Sequence, residues 1–453
     1  MSLSDHPKAY GTAALVVAFT AGVLVTLGFK DVYPELESRF QEKRRVRARG
    51  PAGKRRSSIF WGSAPVTLED HEQDTADFRS PSDGILEDGI AGCIGSTPLI
   101  KLRSLSEATG RTVLAKAEFL NGAGGSPKDR VALGIIRAAE REGLLRPHRG
   151  DTIYEGTVGS TGISLAALAR ALGYRTHICM PDDQSREKSD LLAHLGAAVE
   201  RVPVAPITSP DHFVNLARRR AAEHTARQAD PANGGDGSRG FFADQFESPA
   251  NWRAHFATTG PEIWRQTGGG RLDAFVAGAG TGGTVSGVAR YLKHRAADNG
   301  GIRVVLADPQ GSGLYNKVRH GVMYAPTERE GTRRRQQVDS LVEGVGVNRV
   351  TANFEAGRDL IDDAVRVEDK QACRMARWLA ARDGVFVGSS SAVNCVAAVA
   401  AALALPPGSV VVTVLCDSGA RHLSKFWRRI QEMGLEEEEA VDIVAELGLE
   451  RQV

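Results

Sequence analysis

Two rhythms of apolar and polar positions run through most of this chain. Beyond Ile85, short β-branched runs recur between windows whose apolar residues return every three or four positions, the signatures of buried strands and amphipathic helices. The pattern predicts, in order, a strand at RTVLAKAEF (111–119), a helix at VALGIIRAAEREG (131–143), a strand at DTIYEG (151–156) and a helix at GISLAALARALG (162–173). A strand at THICMP (176–181) and a helix at REKSDLLAHLG (186–196) follow. A second series offers GFFADQF (240–246), LDAFVAGAG (272–280), IRVVLADP (302–309), DAVRVE (363–368), VFVGS (385–389) and SVVVTVLCD (409–417) as strands, most of them separated by helical windows. Such alternation predicts an α/β fold of two three-layer domains with largely parallel sheets and a cleft between them.

The N-terminal part breaks both rhythms. From Ala9 to Phe29 there is no charge, and 21 helical residues at ~1.5 Å each would span a hydrocarbon layer of ~30 Å. The densely basic QEKRRVRARGPAGKRR follows, so the positive-inside tendency predicts a single transmembrane helix with the body on the cytoplasmic face. A buried helix or a targeting presequence is the alternative, although transit peptides avoid so long an uncharged run. Residues 41–82 are basic, then rich in Ser, Asp and Pro, and read as a tether. The expected organisation is a tail and anchor (1–30), a tether (31–84), a first domain (85–250), a second (251–430) and a C-terminal helix or tail (431–453).

Composition narrows the partners. With 453 residues, 42% hydrophobic, the chain can bury ample core, and a net charge of +2 gives no reason to expect nucleic acid. The five cysteines (93, 179, 373, 395, 416) form no CxxC or Cys/His cluster, which predicts neither a metal site nor a disulfide scaffold but buried thiols in a reducing compartment. DPANGGDGSRG (230–240) and TEREGTRRRQQ (327–337) read as exposed loops, and EEEEAVDIVAELGLE as a helix with a solvated acidic face.

Four stretches could carry chemistry. In AGAGTGGTVSG, Gly278, Gly280 and Gly283 satisfy GxGxxG, with Asp308 ending the next strand as a candidate ribose ligand. The same loop offers Gly280, Thr281, Gly282, Gly283 and Thr284 around one helix N-terminus, which suits a single phosphate monoester, and the pattern leaves both readings open. GTVGSTG (156–162) lies between a strand and a helix, and its hydroxyls and amides could hold a carboxylate or phosphate. NGAGGSPKDR predicts a helix with Ser126 as N-cap and Pro127 at its first position, which puts Lys128 in the first turn. A cation there opposes the helix macrodipole and is biased toward the neutral amine that a Schiff-base lysine needs. Finally, Ser418 opens the loop after a strongly apolar strand in VLCDSGARHL.

Taken in order, these stretches resemble the cysteine synthase and cystathionine β-synthase family of pyridoxal-phosphate enzymes, with the tryptophan-synthase-β-like fold. The resemblance runs from about Ile85 to Phe426 through TPLIKL (97–102), GGSPKDR (124–130), GTVGSTG, ADQFESPANW, TGPEIWRQTGG, GTGGT (280–284), VEGVG (342–346) and DSG (417–419). It implies pyridoxal 5'-phosphate in the cleft, bonded to the catalytic Lys128, with its phosphate in Gly280, Thr281, Gly282, Gly283 and Thr284 and its ring nitrogen on Ser418. It implies that Thr157, Val158, Gly159, Ser160, Thr161 and Gln245 take the substrate carboxylate, Ser160 also approaching the cofactor. Where most members read TSGNTG, this chain has Val158 and Ser160. NGAGGS is one residue longer than usual, and GSSSAVN (388–394) has Ala392 where glycine is common.

The implied reaction is β-replacement on an activated serine, O-acetylserine favoured, with sulfide to form L-cysteine. A cystathionine β-synthase-like or other elimination activity, an NAD-dependent oxidoreductase and a tethered cofactor-binding protein without turnover are the alternatives. The layout is similar to fungal mitochondrial-outer-membrane homologues, which implies that address, and the family implies a homodimer acting on small molecules.

Overall fold

The computed structural model describes residues 85–184, 186–296, 301–324, 340–435 and 441–449. Among the described residues ten strands form two sheets. The strands are β1 (Leu99–Lys101), β2 (Thr112–Ala117), β3 (Thr152–Gly156), β4 (Arg175–Pro181), β5 (Ala198–Val202), β6 (Gly240–Phe242), β7 (Ala274–Gly278), β8 (Arg303–Pro309), β9 (Asp363–Val367) and β10 (Val410–Leu415). One sheet has the order β1-β2-β10-β7-β8-β9 and the other β5-β4-β3-β6. All pairings are parallel except β1 with β2, so the larger sheet is mixed at that edge.

The parallel strands are buried along most of their length, as strands covered on both faces must be. One face of the larger sheet packs on the helices Asp369–Arg382 and Ser389–Leu403, the latter apolar nearly all round and buried at Val393, Val396, Ala397 and Val399. The other packs on the helix Gly283–Arg295 through Val285, Val288 and Leu292. The smaller sheet is covered by the helices Lys128–Arg141 and Ser160–Ala171, whose Val131, Ile135, Leu165 and Leu168 share a core with Ile153.

Several expectations change. The strands do not sort at residue 250: β1 and β2 lie in the sheet of β7–β10, because β2 pairs along its whole length with β10. VFVGS is not a strand, since Val387 makes only an isolated bridge to Ser418. The chain gains a strand at β5, and near the C-terminus Ile443 and Val444 are buried in the core. The cysteines are all free, with Cys179, Cys373 and Cys395 buried but Cys93 exposed.

The membrane-anchored placement and the outer-membrane address are corrected. Among the described residues no helix is long and apolar enough to cross a membrane. The longest of them, Phe213–Gln228, has 16 residues, against the roughly 20 that a span requires, and is amphipathic. The segment Ala9–Phe29, the tether and the loop 327–337 lie outside the described residues.

Candidate functional site

A cavity of about 1230 Å³ opens at the C-terminal ends of the parallel strands, between the loops of the two sheets. That is where open α/β sheets place their ligands. Lys128 is the first residue of its helix, one position later than the sequence suggests, with Pro127 in the cap position although its dihedrals are already helical. Ser126 still serves the turn, since its Oγ accepts the Lys128 N–H at 3.3 Å. Asp129 holds the glycine loop closed by accepting the Gly124 and Gly125 N–H groups, each at 2.8 Å. The Lys128 amine therefore enters the cavity from an anchored helix end. Burial lowers its pKa, and the nearby Cys416 and Asp417 only partly oppose that.

The loop after β3 brings Thr157, Val158, Gly159, Ser160 and Thr161 to the same cavity. Thr161 and Gln245 meet directly, the threonine hydroxyl donating to Gln245 Oε1 at 2.5 Å. Behind them Glu155, fully buried, accepts the Gly156 N–H at 3.0 Å and the Gln245 N–H at 3.2 Å.

Opposite Lys128, the loop after β7 lines the cavity with Gly280, Thr281, Gly282, Gly283 and Thr284. Here glycine is a steric requirement. A Cβ on Gly280 would lie 2.3 Å from the Gly344 carbonyl oxygen, and one on Gly283 would lie 1.9 Å from Asn251 Oδ1. Gly282 has φ +85°, the left-handed region. The loop ends at the N-terminus of Gly283–Arg295, whose free N–H groups favour an anion. Asn251 braces it by donating to Thr281 Oγ1 at 2.9 Å and to the Gln245 carbonyl oxygen at 2.7 Å. Thr284 Oγ1 shares a hydrogen bond of 3.1 Å with His255 Nε2, and burial holds His255 down to about 3, hence neutral.

Two candidates fall elsewhere. Ser418 does not line the cavity; its Oγ accepts the Ala420 N–H at 3.3 Å and caps the turn Gly419–Arg421. Cys416 and Asp417 occupy the wall at that strand end. Asp308 is also outside the cavity, fully buried, with Oδ2 accepting the Tyr315 N–H at 2.7 Å, so nothing exposes it to a ribose.

Residues that sequence reasoning passed over complete the site. Asn394 lines the cavity, accepts the Gly278 N–H at 2.7 Å and donates to the Val414 carbonyl at 2.8 Å, joining the ends of β7 and β10. Arg421 also lines it, with Nη2 donating to the Gly124 carbonyl and Nη1 buried without a protein partner. At the mouth, Glu343 meets Lys188 and Lys425. Asn394, Arg421 and Glu343 each stand within a motif, GSSSAVN, VLCDSGARHL and VEGVG, but their partners are remote in sequence, so the motif alone assigns them no role.

The residues present fit pyridoxal phosphate. A buried amine of lowered pKa faces a glycine cradle at a helix N-terminus across one cavity, and an orphaned guanidinium nitrogen marks room for a further acceptor.

Comparison with known proteins agrees. A family model described as "Pyridoxal-phosphate dependent enzyme" matches residues 90–417. The chain is 67% identical over 464 aligned positions to cysteine synthase 2 of Neurospora crassa, covering 99% of each. It is 58% identical to cysteine synthase 2 of Emericella nidulans, covering 95% of this chain and 96% of that one. Among solved structures, an O-ureido-L-serine synthase superposes with a TM-score of 0.63 at 32% identity, over 79% of this chain and 98% of its own. An O-acetylserine-dependent cystathionine β-synthase from Helicobacter pylori gives 0.61 at 32%, over 76% and 99%. A match across most of the chain, on a fold and a site that suit the cofactor, makes this protein a member of the pyridoxal-phosphate dependent enzyme family.

Proposed function

We propose that the protein forms L-cysteine by β-replacement on O-acetylserine with sulfide. One observation carries the reading: the Lys128 amine, kept below its ordinary pKa by burial, shares a cavity with the Thr157–Thr161 loop and the Gly280–Thr284 cradle. Pyridoxal phosphate, when bound, supplies the electron sink that makes the substrate Cα proton removable. Gly280, Thr281, Gly282, Gly283 and Thr284 would hold its phosphate, and Lys128 would hold its aldehyde carbon until substrate arrives. Thr157, Ser160, Thr161 and Gln245 bind the amino-acid carboxylate and fix the orientation of the Cα–H bond. Lys128 takes that proton as the Cβ–O bond breaks and acetate leaves, and returns it to Cα once the Cβ–S bond has formed. A neutral amine can accept the proton, an ammonium cannot, and burial shifts Lys128 toward the neutral form.

The names of the relatives support cysteine as the product, and sulfide as the nucleophile is what the resemblance of the motifs implies. Val158, which lines the cavity where the resemblance expects a serine, makes the carboxylate loop less polar. The resemblance also supports a homodimer, which sedimentation of the holoenzyme reads directly. The test of function is the purified holoenzyme with O-acetylserine, O-phosphoserine or serine, each with sulfide or a thiol. Cysteine formation fastest with O-acetylserine and sulfide is expected, with loss of the visible cofactor band and of activity in Lys128→Ala. No cofactor band in the wild type, or equal turnover in Lys128→Ala, would overturn it.

A further inference from the structure

The amide of Gln245 is fully committed to protein, and in the wrong sense for its expected task. Its Nε2 donates inward, to Glu155 Oε1 at 3.4 Å and to the Gly156 carbonyl oxygen at 3.3 Å. Its Oε1 faces Thr161, whose hydroxyl donates to it at 2.5 Å. A substrate carboxylate arriving at the Thr157–Thr161 loop needs donors, yet Gln245 offers that side an oxygen. What holds the amide in this sense is Glu155, 0% exposed, an acceptor when ionised, which draws Nε2 and the Gln245 backbone N–H toward itself. Were the Glu155 carboxyl protonated, it would become a donor. The amide would then turn over, its oxygen taking the Glu155 hydroxyl and Nε2 facing the cavity.

We propose that Glu155 is a positioning residue for substrate binding, whose protonation turns the Gln245 amide from a parked sense to one that donates to the substrate carboxylate. This rests on the reading of the Thr157–Thr161 loop as the carboxylate site. The turn exchanges the two long inward bonds of Nε2 and the 2.5 Å bond from Thr161 for a bond from the Glu155 hydroxyl, and it sets Oε1 beside the Gly156 carbonyl oxygen, a cost that the new bond from Nε2 to the substrate carboxylate has to outweigh. A neutral Glu155 also removes a buried negative charge from behind the site where a second one binds. Burial raises the Glu155 carboxyl to about 8, the N–H groups of Gln245 and Gly156 opposing and Asp244 adding to it.

Of the groups around Glu155, Cys179 and His212 lie outside that window, while burial raises Asp244 and lowers the Lys128 amine, two groups that all three proteins compared below share. On β4, burial pushes the Cys179 thiol up to about 12. In the loop after β6, Asp244 is paired with Arg218 of the helix Phe213–Gln228 at 3.0 Å. His212, which caps that helix and lines the cavity, is pushed down to about 4 by burial and by Arg349. The sign follows: a carboxyl titrating near 8 is mostly neutral at about pH 7 and ionised at about pH 9, so substrate affinity falls as pH rises through that range.

The experiment measures KM and kcat for O-acetylserine on the holoenzyme at about pH 7 and about pH 9, for wild type, Glu155→Gln and Glu155→Ala. The Glu155→Gln amide donates permanently and mimics the neutral acid. Wild-type KM is expected to rise roughly tenfold over those two pH units, as for one group of that pKa. Glu155→Gln should stay within about twofold of its low-pH value, with kcat changing less than KM. Substrate-amine titration is common to all three proteins and cancels in the comparison. Glu155→Ala should raise KM at both pH values, so that only the conservative variant restores low-pH affinity. If Glu155→Gln fails to fold by thermal unfolding, infrared spectra of the wild type decide. A protonated-carboxyl band lost between about pH 7 and pH 9 should persist to higher pH when the amino acid is bound. A Glu155→Gln profile that tracks the wild type, or a band indifferent to substrate, overturns the inference. A wild type that binds no amino acid at any pH overturns both this and the carboxylate-loop reading.

Discussion

Lys188 Nζ lies 2.6 Å from Glu343 Oε2, and the pair joins the helix Arg186–His194, beside the smaller sheet, to the loop before Val345 on the larger one. Both residues line the cavity. Glu343 also meets Lys425 at 3.3 Å and His422 at 3.7 Å, and His422 in turn meets Asp417 at 3.0 Å. One carboxylate thus gathers cations from both sides of the mouth.

Burial alone would raise the Glu343 carboxyl, but Lys188, Lys425 and His422 outweigh it and hold the group below its ordinary value. A depressed carboxyl contributes its pairing energy above the ordinary carboxylate range and loses it as the pH falls below. We expect Glu343→Gln to raise the amino-acid KM roughly five- to tenfold, corresponding to about 1 kcal/mol for a partly screened pair. The wild-type advantage should shrink with added salt. Steady-state kinetics at two ionic strengths checks this, and a KM unchanged in the variant would show that the Lys188–Glu343 pair does not contribute to amino-acid binding.

A second prediction concerns Asn251, which donates to Thr281 Oγ1 and to the Gln245 carbonyl and so couples the phosphate cradle to the carboxylate side. Removing its amide takes the donor from the buried Thr281 hydroxyl, at about 1–3 kcal/mol, while the Gln245 carbonyl keeps Asn353 Nδ2 at 3.1 Å. Asn251→Ala should therefore weaken retention of pyridoxal phosphate by roughly 5- to 100-fold. Gly283→Ala should do so more severely, because its Cβ would fall on Asn251 Oδ1. Equilibrium dialysis of the cofactor, followed by its visible absorbance, reads both. Retention equal to wild type would remove Asn251 from the cradle.

How much of this was legible follows from how local each signal is. The helix at Lys128 and the glycine loop at Gly280 could be read because the turn, the anion-binding amides and the apolar stripe sit in one short stretch. β5 could not, because Ala198, Glu200 and Arg201 on an edge strand carry no alternating apolar face. VFVGS misled for the opposite reason: β-branched residues suit a strand, but Val387 finds no ladder beyond Ser418. Pairing of β2 with β10 joins residues nearly 300 positions apart, which no periodicity encodes. The same holds for the site. Lys128 and Thr281 announced themselves, whereas Asn251, Glu155 and Glu343 acquire their roles only from partners that the fold brings in.

The helix carrying Lys128 is anchored by charge as well as by packing. Arg130, fully buried, bonds Glu118 through Nε at 2.8 Å and Glu262 through Nη1 at 2.6 Å, and Lys116 lies 2.6 Å from Glu262. Two buried carboxylates and two buried cations thus join β2, the Lys128 helix and the helix Gly260–Gln266. Burial would raise Glu118, but Arg130 and then Lys116 prevail and hold it at about 2. Its stabilising effect is therefore complete above the ordinary carboxyl value near 4.5 and is lost as the pH falls from there toward about 2. Glu262→Ala leaves the buried Lys116 without its ion-pair partner and Arg130 with Glu118 alone, and should cost about 3–5 kcal/mol, the range for breaking a buried pair from one side. Urea unfolding of the holoenzyme near neutral pH measures this, with the same titration in Glu118→Gln as the companion. Because Glu118→Gln removes the titrating group, the gap between it and wild type should narrow steadily as the pH is lowered below about 4.5. A gap that stays constant down to about pH 3 would mean that Glu118 contributes through shape and neutral hydrogen bonds, and that the anchoring of Lys128 does not depend on its charge.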